Sequence, residues 1–218
     1  VLRGCEFLED VQWHDDQPPK VIHPLEQIED IDNLSIPEPT DGLNALLLSW
    51  QQAMAEAATQ YEIRINDRPV KLNVTLGQGG GPIPAAYSLA GENLLLWMAM
   101  DPQRVHRLMD IVTASHLTCI RYLDEHFGRP ADHPVAMGCD IGEMLSPGMY
   151  RELVVPYYER IWQHYSGRRS LHMCGDINHL FSILRDDLNI DELNGFGFPV
   201  KPQQMAEAWA GRVVMNGG

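Results

Sequence analysis

Arg169-Ser170-Leu171-His172-Met173, Glu192-Leu193-Asn194-Gly195-Phe196 and Arg212-Val213-Val214-Met215 are three short extended runs, separated by two segments of helical spacing, Ile177–Asp187 and Pro202–Ala210. A strand, a helix long enough to cross back over a sheet and a second strand make the parallel βαβ unit. The alternation continues outward toward the N-terminus. Ser146-Pro147 opens a helix to about Tyr165, kinked at Pro156, because serine caps free amides and proline is tolerated at the first helical position. Pro134–Cys139 reads as a strand, Asp101-Pro102 starts a long helix ending near Phe127, Glu92–Met100 is helical, and Val70–Leu76 reads as another strand. The fold class is therefore α/β with about five parallel strands between Val70 and Met215, in an open sheet or a closed (β/α)8 barrel. A full barrel takes roughly 250 residues. A barrel in this chain is expected to be incomplete, without its first strand and at least its last, and Val1 reads as the start of a processed or partial piece.

Residues 1–42 are rich in acid and turn formers, with Asp15-Asp16-Gln17-Pro18-Pro19 and Ile36-Pro37-Glu38-Pro39 bracketing short apolar runs, and read as an extended approach segment. Residues 43–218 hold the expected partial barrel. They begin with an amphipathic helix in which Leu43, Leu46, Leu47, Trp50, Met54, Ala57 and Ala58 recur every three or four positions.

The 218 residues carry 16 Lys+Arg against 30 Asp+Glu, a formal charge of −14 that repels phosphate backbones and makes nucleic acid a poor partner. The longest apolar stretches, such as Leu94–Met100, fall far short of the ~20 residues of a membrane span, so no membrane partner is expected. Cys5, Cys119, Cys139 and Cys174 share no pairing rhythm and read as thiols in a reducing cytoplasm. A chain of this length buries enough surface to fold without a structural metal, so any metal is expected to serve chemistry.

In parallel α/β folds the reacting groups lie where strands end, and four strand ends carry suggestive residues. Gly77–Gly81 lets backbone amides approach an anion or cofactor at Gly79, Gly80 and Gly81, or is simply a bend. It lacks the spacing of a nucleotide loop. Gly138-Cys139-Asp140-Ile141-Gly142-Glu143 offers Asp140 and Glu143 to orient a substrate or move a proton, although Asp140 can equally accept loop amides and Cys139 can be inert filling. His172 and Cys174, two apart at the end of an extended strand, point to one side, so an imidazole and a thiolate can meet one metal ion. Such N/S donors suit zinc, but a third donor must come from elsewhere, and simple packing of the pair is the competing reading. Asn216, before Gly217-Gly218, can bond a ligand or only its own turn. His179 and the acidic run Glu26–Asp32 read as surface or packing positions.

Taken in order, Gly81-Pro82-Ile83-Pro84-Ala85-Ala86, Asp101-Pro102-Gln103-Arg104-Val105, Leu145-Ser146-Pro147-Gly148-Met149-Tyr150, Val155-Pro156-Tyr157-Tyr158 and His172-Met173-Cys174-Gly175 resemble the uroporphyrinogen decarboxylase superfamily over about residues 20–218. The resemblance implies a (β/α)8 barrel. The Arg-rich N-terminal motif with its catalytic Asp, and the Phe-Asp-Ser-Trp-like segment of the true decarboxylases, are not visible. The His-x-Cys at 172–174 instead resembles the corrinoid-linked methyltransferase branch, in which these residues and a later Cys bind zinc that activates a thiol acceptor. That later Cys would lie beyond Gly218. What the resemblance implies is a methyltransferase working between a corrinoid carrier and a thiol or pterin acceptor, with zinc on His172 and Cys174. Asp140 and Asn216 are then the candidate catalytic residues, and Gly79, Gly80, Gly81 and Glu143 face a small-molecule substrate. No Asp-x-His-x-x-Gly cobalamin signature occurs, so the corrinoid would ride on a partner protein. A tetrapyrrole carboxy-lyase and a non-catalytic barrel remnant are the alternatives.

Overall fold

The computed structural model describes Phe7 and residues 11–17, 20–76 and 80–217. Strands β1 (Val11–Gln12) and β2 (Lys20–Val21) pair antiparallel, and a 3-10 segment at Ile28–Asn33 leads to helix α1 (Asn44–Ala58). Strands β3 (Ile63–Ile65) and β4 (Arg68–Val70) form a hairpin, followed by helices α2 (Pro82–Ala90), α3 (Asn93–Met100) and α4 (Pro102–Phe127). The chain then runs through strand β5 (Val135–Gly138), helices α5 (Pro147–Leu153) and α6 (Val155–Trp162), strand β6 (Arg169–His172), helix α7 (Phe181–Asp186), strand β7 (Glu192–Asn194), helix α8 (Pro202–Trp209) and strand β8 (Val214–Asn216).

The last four strands are all parallel and lie in sequence order, β5-β6-β7-β8. A doubly wound sheet reverses its strand order at a switch point; this one does not, which is how a barrel wall is wound. Among the described residues the wall is an open arc and not a closed barrel. Met137, Leu171 and Leu193 are register partners and fully buried, as the outward row of a barrel wall under its helices should be. Trp162 and Trp209 are buried whole, and each satisfies its ring N–H on a carbonyl, at Val135 (3.1 Å) and Phe181 (3.0 Å). Leu25 and Ile31, from the approach segment, are buried in the same core.

Helix α4 has the limits its sequence predicts. The Asp101 carboxylate accepts the Arg104 N–H at 3.1 Å, Pro102 occupies the first turn, and Gly128 closes the helix in the left-handed region at φ 61°. Three other elements differ from expectation. The strand expected at Val70–Leu76 is not formed. Val70 is instead drawn into the hairpin, because Asn66 and Asp67 both take positive φ (49° and 60°) and make the two-residue turn that matches strand twist. Residues 71–76 have no regular structure. The Ser146–Tyr165 helix breaks at Val154 (φ −119°) and does not merely kink at Pro156, so proline falls in the first turn of α6, where its missing N–H costs no bond. Helix α1 leaves much of its apolar stripe in solvent: Leu46, Trp50 and Met54 are exposed, with Trp50 edge-on to Trp13 at 6.2 Å.

On the core side of α4, His116 is buried, its Nε2 has no hydrogen-bond partner among the described residues, and burial pulls its pKa down to about 4. Between the ordinary value of 6.5 and about 4, the unfolded chain takes up a proton that the folded chain refuses. The stability present above that window is therefore lost as pH falls through it, by on the order of 3 kcal/mol. Urea unfolding near pH 7 and near pH 4.5 should show that decline, and His116→Leu should flatten it. An unchanged slope in the variant would assign the acid sensitivity to other groups.

Candidate metal centre

The register of the arc sets its chemistry. Gly138 lies opposite His172, His172 opposite Asn194, and Asn194 opposite Asn216, so the C-terminal tips of four strands form one row on the face turned away from Met137, Leu171 and Leu193. The chain that leaves this row builds the site. The Cys139 N–H donates to the His172 carbonyl at 2.9 Å, which carries the end of β5 alongside β6 and delivers Asp140 at the start of the 3-10 turn Asp140–Met144. The Met173 N–H donates to the Asn194 carbonyl at 3.2 Å, so the chain stays extended one residue past β6 and Cys174 emerges on the side of His172.

Three donors converge there. His172 Nε2 is 3.1 Å from Cys174 Sγ and 3.5 Å from Asp140 Oδ1, and the three ligand atoms lie within 4.8 Å of one another. Ligands around a tetrahedral zinc, at 2.0–2.3 Å from the metal, are about 3.4–3.8 Å apart. The set therefore fits such an ion with small adjustments. A thiolate, a carboxylate and a neutral imidazole also carry two negative charges, which a dication balances. The spacing of 172 and 174 predicts that two of these donors share one side, and they do. Asp140 is expected near substrate, and the structure brings its Oδ1 into the same cluster.

The remaining candidates fall around this cluster. The Glu143 Oε2 accepts the Asp176 N–H at 2.9 Å and packs on Gly175, whose φ of +85° and lack of Cβ make room for the carboxylate. Glu143 thus ties the β5 loop to the β6 loop. The Gly80 carbonyl accepts the Gly138 N–H, and Gly81 lies so close to that tip that a Cβ would sit 2.8 Å from the Tyr158 hydroxyl. Gly79 lies outside the described residues. Asn216 ends the row with an exposed side chain, two strands and about 10 Å from His172. His179 Nε2 donates to the Leu145 carbonyl at 2.9 Å. Cys139 is fully buried, and desolvation pushes its thiol up to about 11 despite hydrogen bonds from Tyr150 and Tyr158. It therefore stays protonated beside a neighbouring strand whose Cys174 is exposed.

Sequence reading missed Asn194 and Ser170. The His172 Nδ1 is 2.8 Å from Asn194 Oδ1, and Asn194 Nδ2 donates to Ser170 Oγ at 3.1 Å. Their signal was present but weak: an Asn-Gly pair at a strand end, and a serine two residues before the histidine. Asn178 was missed as well. It holds the rim by bonding Asp176, the Pro199 carbonyl and the Lys201 N–H.

Comparison with known proteins agrees with this architecture. The family model for uroporphyrinogen decarboxylase (URO-D) matches residues 8–215. A methylated-thiol–coenzyme M methyltransferase of Methanosarcina mazei is 28% identical over 109 residues, a match that spans 48% of this chain and only 28% of that protein's length. A solved methyltransferase from Methanosarcina mazei shares the fold with a TM-score of 0.65 at 15% identity, covering 98% of this chain and 70% of that one.

Gly195 tests how tightly the site is built. At φ +70° it is strained for any side chain, and its Cβ would overlap His172 Cε1 and Nδ1; Gly211, at φ +75°, has nothing within 4 Å of its Cβ position. Gly211→Ala should cost only the backbone strain, about 1 kcal/mol, and Gly195→Ala should cost about 1–2 kcal/mol more because the imidazole must move. Equal losses in chemical denaturation would show that the ring is not confined.

Proposed function

This chain belongs to the uroporphyrinogen decarboxylase family, and we propose that within it the chain acts as a zinc-assisted methyltransferase, moving a methyl group between a corrinoid carried by a partner protein and a thiol or pterin acceptor. The observation that carries this reading is the convergence of Asp140, His172 and Cys174 on one point at the strand tips. Active sites of parallel barrels sit at that face.

His172, Cys174 and Asp140 would hold the ion, three protein donors being the number that lets a catalytic zinc also take an acceptor. Zinc, when bound, supplies a local positive charge that keeps a thiol acceptor deprotonated near neutral pH. The presence of a donor cluster favours the thiol over the pterin, which needs no such activation. A corrinoid carrier would supply the methyl group: the sulfur lone pair would form the S–C bond and the electron pair of the broken carbon–carrier bond would stay on the carrier. The chain's own share is to fix the acceptor within reach, which the knitted rim does by holding three loops to one another through Glu143, Asp176 and Asn178. The absence of an Asp-x-His-x-x-Gly signature favours a corrinoid delivered by another protein. No helix among the described residues is long and apolar enough to cross a membrane.

The carboxy-lyase reading is weaker on electrostatic grounds. A tetrapyrrole bearing several carboxylates needs cations to receive it, whereas the loops at this mouth present Asp140, Glu143 and Asp176.

Zinc reconstitution followed by metal analysis should give about one ion per chain. His172→Ala and Cys174→Ala should each abolish it, and Asp140→Asn should weaken it by roughly one to two powers of ten. Retention of stoichiometric zinc in the His172→Ala/Cys174→Ala double variant would place the metal elsewhere and remove the basis of the reading. The same variants should lose thiol-dependent demethylation of added methylcobalamin.

A further inference from the structure

We propose that Asn194, itself oriented by Ser170, is the positioning residue that fixes the ring tautomer and the aim of His172, turning its Nε2 lone pair toward Cys174 and Asp140. The inference rests on the metal-site reading for its purpose, but the hydrogen-bond logic stands apart from it.

An imidazole can approach a metal only through a nitrogen that carries no proton, and a neutral ring has one such nitrogen. Which one it is depends on what the other nitrogen meets. Here Nδ1 meets an amide, and an amide has two faces. Its oxygen accepts and would require the proton on Nδ1; its NH2 donates and would require the proton on Nε2, pointing it into the donor cluster. Asn194 alone does not choose between these. In the structure the Nδ2 donor goes to Ser170 Oγ at 3.1 Å and Oδ1 lies 2.8 Å from Nδ1; a hydroxyl can accept or donate, so Ser170 anchors the amide and the oxygen facing the ring sets the proton. The proton is thereby placed on Nδ1, and Nε2 faces Cys174 Sγ at 3.1 Å and Asp140 Oδ1 at 3.5 Å.

The placement is built into the sheet. His172 and Asn194 are register partners on adjacent strands, and Ser170 is two residues before His172 on the same face, so the three side chains stand together by pairing alone. Ser170 is buried, so water competes poorly for its hydroxyl. Gly195 closes the last side: with no Cβ it leaves room for the ring against the backbone, and a side chain there would push the ring off the Asn194 oxygen.

The test has two independent arms. In the metal-free chain, the ring 15N shifts of His172, assigned by their loss in His172→Gln, should report the proton on Nδ1; a proton on Nε2 overturns the inference. In the second arm, cobalt(II) or zinc affinity is measured by chelator competition. Asn194→Leu, which cannot accept, should weaken binding about 10–100-fold. Asn194→Asp should stay within a few-fold of the unaltered chain, because a carboxylate accepts with either oxygen. Ser170→Ala should weaken binding, since the amide is then free to turn, and Ser170→Ala/Asn194→Asp should recover it, since a carboxylate has no wrong face. That rescue cannot come from packing alone. Asn194→Leu binding as tightly as Asn194→Asp, or a double variant as weak as Ser170→Ala, would reject the positioning role. If the unaltered chain binds no metal, the proposed function fails and the 15N arm alone decides the tautomer.

Discussion

In-register parallel pairing of β5, β6, β7 and β8 is the constraint on which the rest depends. It puts Met137, Leu171 and Leu193 in one row, buried, and Gly138, His172, Asn194 and Asn216 in the opposite one. Burying a Leu or Met side chain is worth about 1.5–3 kcal/mol, so three of them outweigh anything a lone His-Cys contact could contribute in the metal-free chain. A slip of one residue would exchange the two rows and bury the histidine. The polar row therefore exists because the apolar row must be covered, and the site inherits its accuracy from the core.

Two cysteines show how burial separates chemistry on adjacent strands. Cys139 and Cys174 both follow the tip of a strand, yet Cys139 is enclosed by Tyr150, Tyr158 and Gly142, and desolvation holds its thiol protonated. Cys174 is exposed beside His172. The same element is packing filler in one place and a candidate ligand in the other, and the difference is the dielectric around it. Glycine acts in a comparable way along the rim: Gly175 admits the Glu143 carboxylate and Gly195 admits the His172 ring, each at a positive φ that no side chain adopts cheaply.

The mouth thus assembles negative donors at one point and secures the loops that carry them with other carboxylates and amides. A dication at that point would balance the charge of a carboxylate and a thiolate. In the proposed reaction an anionic acceptor would meet such an ion and not the surrounding carboxylates, so the acidity of the chain would not exclude it.

By itself the sequence determined the parallel α/β class, the start of α4 at Asp101-Pro102 and its end near Phe127, and the shared side of His172 and Cys174. These are matters of local periodicity and capping, decided within a few bonds. It misplaced a strand at Val70–Leu76 because Asn66-Asp67 was not read as a hairpin turn. Lateral neighbours were beyond it: that Asp140 reaches His172, that Asn194 stands at Nδ1 with Ser170 behind it, and that Glu143 grips the loop after β6 all depend on which strands pair and in which register. Residues more than twenty positions apart in the chain meet only when burial of the apolar row has fixed that register, and only the tertiary structure carries that information.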